Sequence, residues 1–258
     1  MRRWIPWIAG AGAAAAGLVG GAAAVRAATR DCGGATDEGG NVEGVPYLER
    51  MRGGAASGDR VPMVVVLHPR DATPAGYASG MNGIGRARLI VPQGAYDSPL
   101  GGYLWMPKGL KATVANGLDA AERRQWEDAH ARLERFVRTL ARCRPTAGEP
   151  IVTGSSQGAE MALVMATMSR RHVGGAVAVN GDMPAELWGR MAPTVMLNGT
   201  GDTTVLFATA QQHANDAIAR GQPLRFESFP SSGHNLTNAQ VQAWRDEVEA
   251  MVAQQAAR

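Results

Sequence analysis

Three side chains of this sequence have the chemistry of a nucleophilic relay: Ser156, Asp202 and His234. A serine hydroxyl is a weak nucleophile until a base takes its proton. An imidazole does this best when a carboxylate holds its other nitrogen and stabilises the imidazolium. Ser156 lies in Gly154-Ser155-Ser156-Gln157-Gly158, the G-x-S-x-G spacing of a nucleophile elbow. The glycines carry the physical case. A residue forced into a sharp strand-to-helix turn brings its neighbours two before and two after into contact, where a Cβ would clash. The same turn puts the serine at a helix N-terminus, whose free amides can receive an oxyanion.

The elements that must position these groups alternate between strand and helix. Glu149 to Thr153 reads as a strand entering the elbow, and the Ala/Met/Leu run after it as a helix with Met161, Met165 and Met168 as core filler. Upstream, Pro62 to Leu67 is a valine-rich run typical of a strand buried on both faces, and it ends in His68-Pro69-Arg70-Asp71. Arg88 to Pro92 is a second short strand. Gln93 to Leu110 is a long Gly/Pro/aromatic loop carrying Trp105, of a size that usually builds a site. Ala120 to Cys143 repeats Trp126, Ala129, Leu133, Phe136, Val137 and Leu140 at helical spacing. Strands are expected over Gly175 to Asn180, Pro193 to Asn198 and Leu224 to Phe229. Helices are expected over Pro184 to Arg190, Val205 to Arg220 and Ala239 to Gln255. This is an α/β pattern: a mostly parallel central sheet with helices on both faces. Ser156, Asp202 and His234 each fall in a loop after a strand, where open α/β sheets bind ligands.

With 258 residues, 45% of them hydrophobic, the chain has the material for one large core. Its formal charge of +3 comes from Arg2, Arg3 and Arg26; without those three of its 26 basic residues the chain has as many bases as its 23 acids. That balance gives no reason to propose a nucleic-acid partner. Residues 1–27, with a short positive start and an uncharged Ala/Gly-rich stretch, read as a signal peptide or an uncleaved membrane anchor. Residues 28–44, rich in glycine, read as a flexible segment, and residues 45–258 as the folded domain, opening with an edge strand over Val45 to Met51. An exported protein, periplasmic or secreted, is expected. Cys32 and Cys143 fit one disulfide in that setting, or stand as two free thiols. No His/Cys/carboxylate spacing suggests a metal, and no cofactor is implied.

The Leu67-His68 loop, the Trp105 segment, the elbow, the Gly199 to Val205 stretch around Asp202, and Gly233-His234 come in a fixed order. With these motifs the chain resembles the phospholipase/carboxylesterase branch of the α/β-hydrolases, the group that includes acyl-protein thioesterases, over roughly Pro62 to Val252. Its short spacings leave no room for a lid domain. The resemblance implies an oxyanion hole made by the amides of Gln157 and Arg70. Pro69 departs from the family's glycine, yet the donor is the next amide, and Arg70 and Asp71 bring charge to the mouth of the site. The resemblance further implies carboxylic ester cleavage through an acyl-enzyme on Ser156, acting on a small-molecule or lipid-like ester. An acyltransferase using the same triad and a non-catalytic hydrolase-fold binding protein are the alternatives.

Rival readings attach to several residues. Asp202 would also serve as a helix cap, and Asp182 is a second candidate acid. His68 and Trp105 are placed at the substrate, against the alternatives of a structural histidine and a core tryptophan. His130, His172 and His213 are expected on the surface.

Overall fold

The computed structural model describes residues 39–107 and 117–258. The described chain carries ten strands and five α-helices. The strands are β1 (Gly40–Val42), β2 (Val45–Arg52), β3 (Met63–Leu67), β4 (Ala87–Pro92), β5 (Tyr96–Asp97), β6 (Tyr103–Leu104), β7 (Ile151–Ser155), β8 (Gly175–Val179), β9 (Thr194–Gly199) and β10 (Leu224–Phe229). The helices are α1 (Pro74–Ala78), α2 (Ala120–Cys143), α3 (Gln157–Met168), α4 (Phe207–Ala219) and α5 (Asn238–Ala256).

Eight strands form one sheet in the order β1-β2-β4-β3-β7-β8-β9-β10. The six from β4 to β10 run parallel, while β1 and β2 are antiparallel additions. The chain steps from β3 to β4 on one side and then crosses to β7 on the other. The loops after β3 and β7 therefore diverge and leave a crevice at their carboxyl ends.

Every residue of β3, β4, β7, β8 and β9 is buried, which is why β3 and β8 read as unbroken apolar runs and why the polar residues of the others, such as Arg88, Thr153 and Asn198, are buried too. Alternate side chains still go to opposite faces. Met63, Val65 and Leu67 pack with α2, α3 and α4, whereas Val64 and Val66 pack with α1 and with Trp244, Val248 and Val252 of α5. The longest helix, α2, opens on a capping box in which Asp119 accepts from the amides of Ala121 and Glu122 while Glu122 accepts from Asp119.

The structure differs from the sequence expectations at several places. Gly40–Val42 belongs to the sheet and not to a flexible segment: it pairs with Val45–Tyr47 through a two-residue turn in which Glu43 and Gly44 both have positive φ. Val42 and Val45 are buried by that pairing, so β2 is not a bare edge. The helix expected over Pro184 to Arg190 is a single 3-10 turn at Ala185–Leu187. Met161 and Met165 are core residues, but Met168 is exposed at the end of α3. His130 is buried, its Nε2 2.7 Å from Ser169 Oγ, and so ties α2 to α3 instead of facing solvent. Cys143 is disulfide-bonded. Cys32, the proposed signal and anchor of residues 1–27, and the end of the loop beyond Pro107 lie outside the described residues.

Candidate active site

The elbow is built as its glycines require. Ser156 links β7 to α3 with φ 52° and ψ −126°, a backbone region that side chains other than hydrogen rarely occupy. A Cβ on Gly154 would lie 2.5 Å from Leu67 O and 2.6 Å from the Gly158 carbonyl carbon, and one on Gly158 would come closer still to Leu67 O. The two glycines thus press on each other and also on the end of β3, a contact that sequence spacing alone does not reveal.

The three side chains predicted from the sequence meet here. His234 Nε2 lies 3.0 Å from Ser156 Oγ, and His234 Nδ1 lies 2.8 Å from Asp202 Oδ2. The carboxylate requires a donor, so Nδ1 carries the proton and Nε2 is left with a lone pair toward the serine. Asp202 is buried and spends its other oxygen on the amides of Thr204 (2.8 Å) and Val205 (3.0 Å). It therefore caps the turn and holds the histidine at once. The rival acid, Asp182, is also buried but faces His213, whose Nδ1 lies 3.0 Å from Asp182 Oδ2. The Asp182 contact raises the proton affinity of His213, whereas burial raises that of Asp182.

The loop carrying His234 is anchored by residues that the sequence did not mark. Asn180, at positive φ after β8, donates to the carbonyls of Gly233 and His234, both at 3.0 Å. Its Oδ1 accepts from Gly199 N (2.9 Å) and from Gln240 Nε2 (3.0 Å). Gln240 Oε1 in turn accepts from Ser232 Oγ. All three side chains are buried. The one signal in the sequence was a polar Asn180-Gly181-Asp182 run directly after an apolar strand.

On the opposite wall, the amides of Gln157 and Arg70 donate to no protein group among the described residues. The path of the Arg70 loop does not need a glycine at Pro69. His68 Nδ1 donates to Pro69 O at 2.7 Å, His68 Nε2 accepts from Gly94 N at 3.0 Å, and Asp71 N donates to Tyr103 O at 3.0 Å. His68 and Trp105 are thus placed differently from the sequence expectation. His68 is fully buried with both ring nitrogens occupied, and burial lowers its proton affinity. Trp105 is buried, stacks on His68 at 4.9 Å and donates its indole N–H to His68 O. Both hold the loop, and neither leaves a polar atom for a ligand. Trp105 N donates to Gln157 Oε1 at 2.8 Å, which joins this wall to the residue after the nucleophile.

Two further residues escaped the sequence reading. Tyr77 of α1 hydrogen-bonds the Ser155 hydroxyl, bracing the elbow from the other face of the sheet. Glu160 lies buried one turn into α3. The Thr73-Pro74 start of α1, a cap followed by a first-turn proline, was a usable signal for that helix. No group of three or more His, Cys, Asp or Glu among the described residues is placed to hold a metal.

Such an arrangement can activate a hydroxyl, hold an imidazolium, and receive an oxyanion between two amides. Comparison with known proteins points the same way. The fold matches esterase PE8 with a TM-score of 0.63 and 20% identity, over 78% of this chain and 99% of that one. It matches Zea mays acyl-protein thioesterase 2 with a TM-score of 0.59 and 17% identity, over 79% and 98%. For the Bacillus cereus carboxylesterase the values are 0.59 and 14%, over 80% and 94%. No curated protein matches the chain in sequence. The family model described as Phospholipase/Carboxylesterase, however, aligns with residues 89–252, from the strand beside β3 to the last helix. By that match, which spans more than half of its length, this chain belongs to the phospholipase/carboxylesterase family of α/β-hydrolases.

Proposed function

We propose that this chain is an exported serine hydrolase that cleaves carboxylic esters of small or lipid-like molecules through Ser156, His234 and Asp202. The observation that carries the reading is the unbroken relay of 3.0 Å and 2.8 Å from serine to histidine to aspartate. It lies opposite two amides with no protein acceptor. Ser156 Oγ attacks the ester carbonyl as its proton passes to His234 Nε2, and Asp202 stabilises the imidazolium. The carbonyl oxygen becomes an oxyanion received by the amides of Gln157 and Arg70. Collapse breaks the bond to the alkoxy oxygen, which takes the proton from His234. Water then attacks the acyl-serine with His234 again as base, and the free acid leaves. Export rests on the positively charged, Ala/Gly-rich residues 1–27.

The test is turnover of short para-nitrophenyl esters by the purified chain, with and without added alcohols. Wild type is expected to release free acid, and Ser156→Ala to lower kcat by about a thousandfold or more. Exclusive formation of a new ester in the presence of an alcohol would identify an acyltransferase instead. No turnover by a folded wild-type chain would contradict both.

A further inference from the structure

A second concavity lies at the other end of the sheet. A cavity of about 340 Å³ sits between the last two turns of α2 and the residues leading into β7 and β8, and its walls carry Arg138, Arg142, Thr146, Gly148, Glu149 and His172. That volume is in the range of small-molecule sites. Ser156 follows the carboxyl end of β7, whereas the cavity precedes its amino end. The five residues of that strand, about 16 Å of extended backbone, separate the two.

The polar groups of this cavity are largely unused. Among the described residues, Arg138 meets only Glu134, with Nη1 3.9 Å from Oε1, and Arg142 gives one bond, to Thr139 Oγ1 at 3.2 Å. The His172 ring and the Gly148 amide have no described partner. Glu149 shares the cavity with both arginines, yet its carboxyl pairs with neither. Arg138 and Arg142 stand one turn apart on α2, where like charges repel. An anion held between them would remove that repulsion.

The donors come from three directions: α2, the turn before β7, and the turn before β8. One guanidinium fork matches a planar carboxylate, whereas a tetrahedral phosphate offers oxygens to several sides at once. Glu149 repels a second negative charge but accepts a hydrogen bond from a hydroxyl.

We propose that this cavity binds a phosphate group bearing a hydroxylated substituent, with Arg138, Arg142 and His172 on the phosphate and Glu149 on a hydroxyl. Glycerol 3-phosphate has this chemistry as a free molecule, and phosphatidylglycerol has it as a lipid headgroup. The site is separate from Ser156 and does not depend on the ester-hydrolase reading.

The experiment titrates the purified chain calorimetrically with glycerol 3-phosphate and with ethyl phosphate, which lacks the hydroxyls. In parallel, the chain is sedimented with phosphatidylcholine vesicles containing either phosphatidylglycerol or, at the same charge, phosphatidylserine. The hydroxylated ligand is expected to bind about tenfold more tightly than its counterpart in at least one of the two arms, and the arm that responds identifies the source. Arg138→Met and Arg142→Met, both at exposed positions, should each weaken that binding about tenfold. Glu149→Ala should erase the preference for hydroxyls while binding the plain counterpart at least as well, which a damaged fold would not do. Ser156→Ala should bind as wild type does. No binding in either arm, equal binding of the ligands without hydroxyls, a preference that survives Glu149→Ala, or binding that persists in the double arginine variant would overturn the proposal.

Discussion

At the scale of single residues, Ser156 combines the hydroxyl proposed as nucleophile with a backbone that only glycine adopts freely. Function and stability therefore pull apart at this position. Ser156→Gly is expected to abolish ester turnover and yet to be more stable than Ser156→Ala by about 1–3 kcal/mol, the typical strain of such a conformation. Urea denaturation of the two variants checks this. Glu160 makes a similar case through its proton. The folded chain keeps that proton up to about pH 8, while an unfolded glutamate releases it near 4.5. Raising the pH across that window therefore takes stability away. Glu160→Gln removes the linkage, so its Tm advantage over wild type is expected to grow from pH 5 to pH 8. A constant or shrinking difference would show that the acid is not held protonated. The reactive residues were legible in the sequence because their chemistry is rare and their spacing specific. Gln240 and Glu160 were not, because an isolated amide or acid in a sequence gives no sign of what it will face, and Asn180 was marked only by the polar run that it opens after β8.

At the scale of elements, the site depends on two loops held from behind. The loop after β10 hangs on Asn180, whose four hydrogen bonds reach β9, α5 and the carbonyls of Gly233 and His234. Asn180→Ala would leave buried partners unpaired and is expected to cost about 1–3 kcal/mol. It should also slow acylation more than it raises KM, since it loosens His234 without touching substrate. Stopped-flow acylation rates with chemical denaturation separate the two effects. The elbow has less tolerance still: Gly158→Ala drives a Cβ into the Leu67 carbonyl, so β3 must move, and soluble folded yield is expected to collapse. The buried parallel strands and α2 could be read from hydrophobic runs and helical periodicity. Strand β1 could not, because its glycine-rich surroundings look like linker and its turn uses Glu43 where Asn or Asp is the usual signal.

At the scale of the whole molecule, the antiparallel end of the sheet is fastened by a buried charge cluster remote from the crevice. Glu49 of β2 pairs with Arg88 of β4 and with Arg144 after α2, and Arg144 also donates to Tyr47 Oη. Glu49→Gln would strip the counter-charge from two buried guanidinium groups and is expected to cost about 3–5 kcal/mol in urea denaturation. Ester turnover per folded molecule should stay unchanged, because nothing in the cluster touches the catalytic loops. The two halves of the molecule thus divide their tasks: the parallel strands end in the site, and the antiparallel ones close the core. The account as a whole stands on Ser156 being the nucleophile of an intact relay. The most direct measurement is mass spectrometry of the wild-type chain after reaction with a fluorophosphonate. One adduct is expected, on the peptide carrying Ser156, with labelling lost in Ser156→Ala and strongly slowed in His234→Ala. A folded wild-type chain that stays unlabelled, or that is labelled equally well without His234, would contradict it.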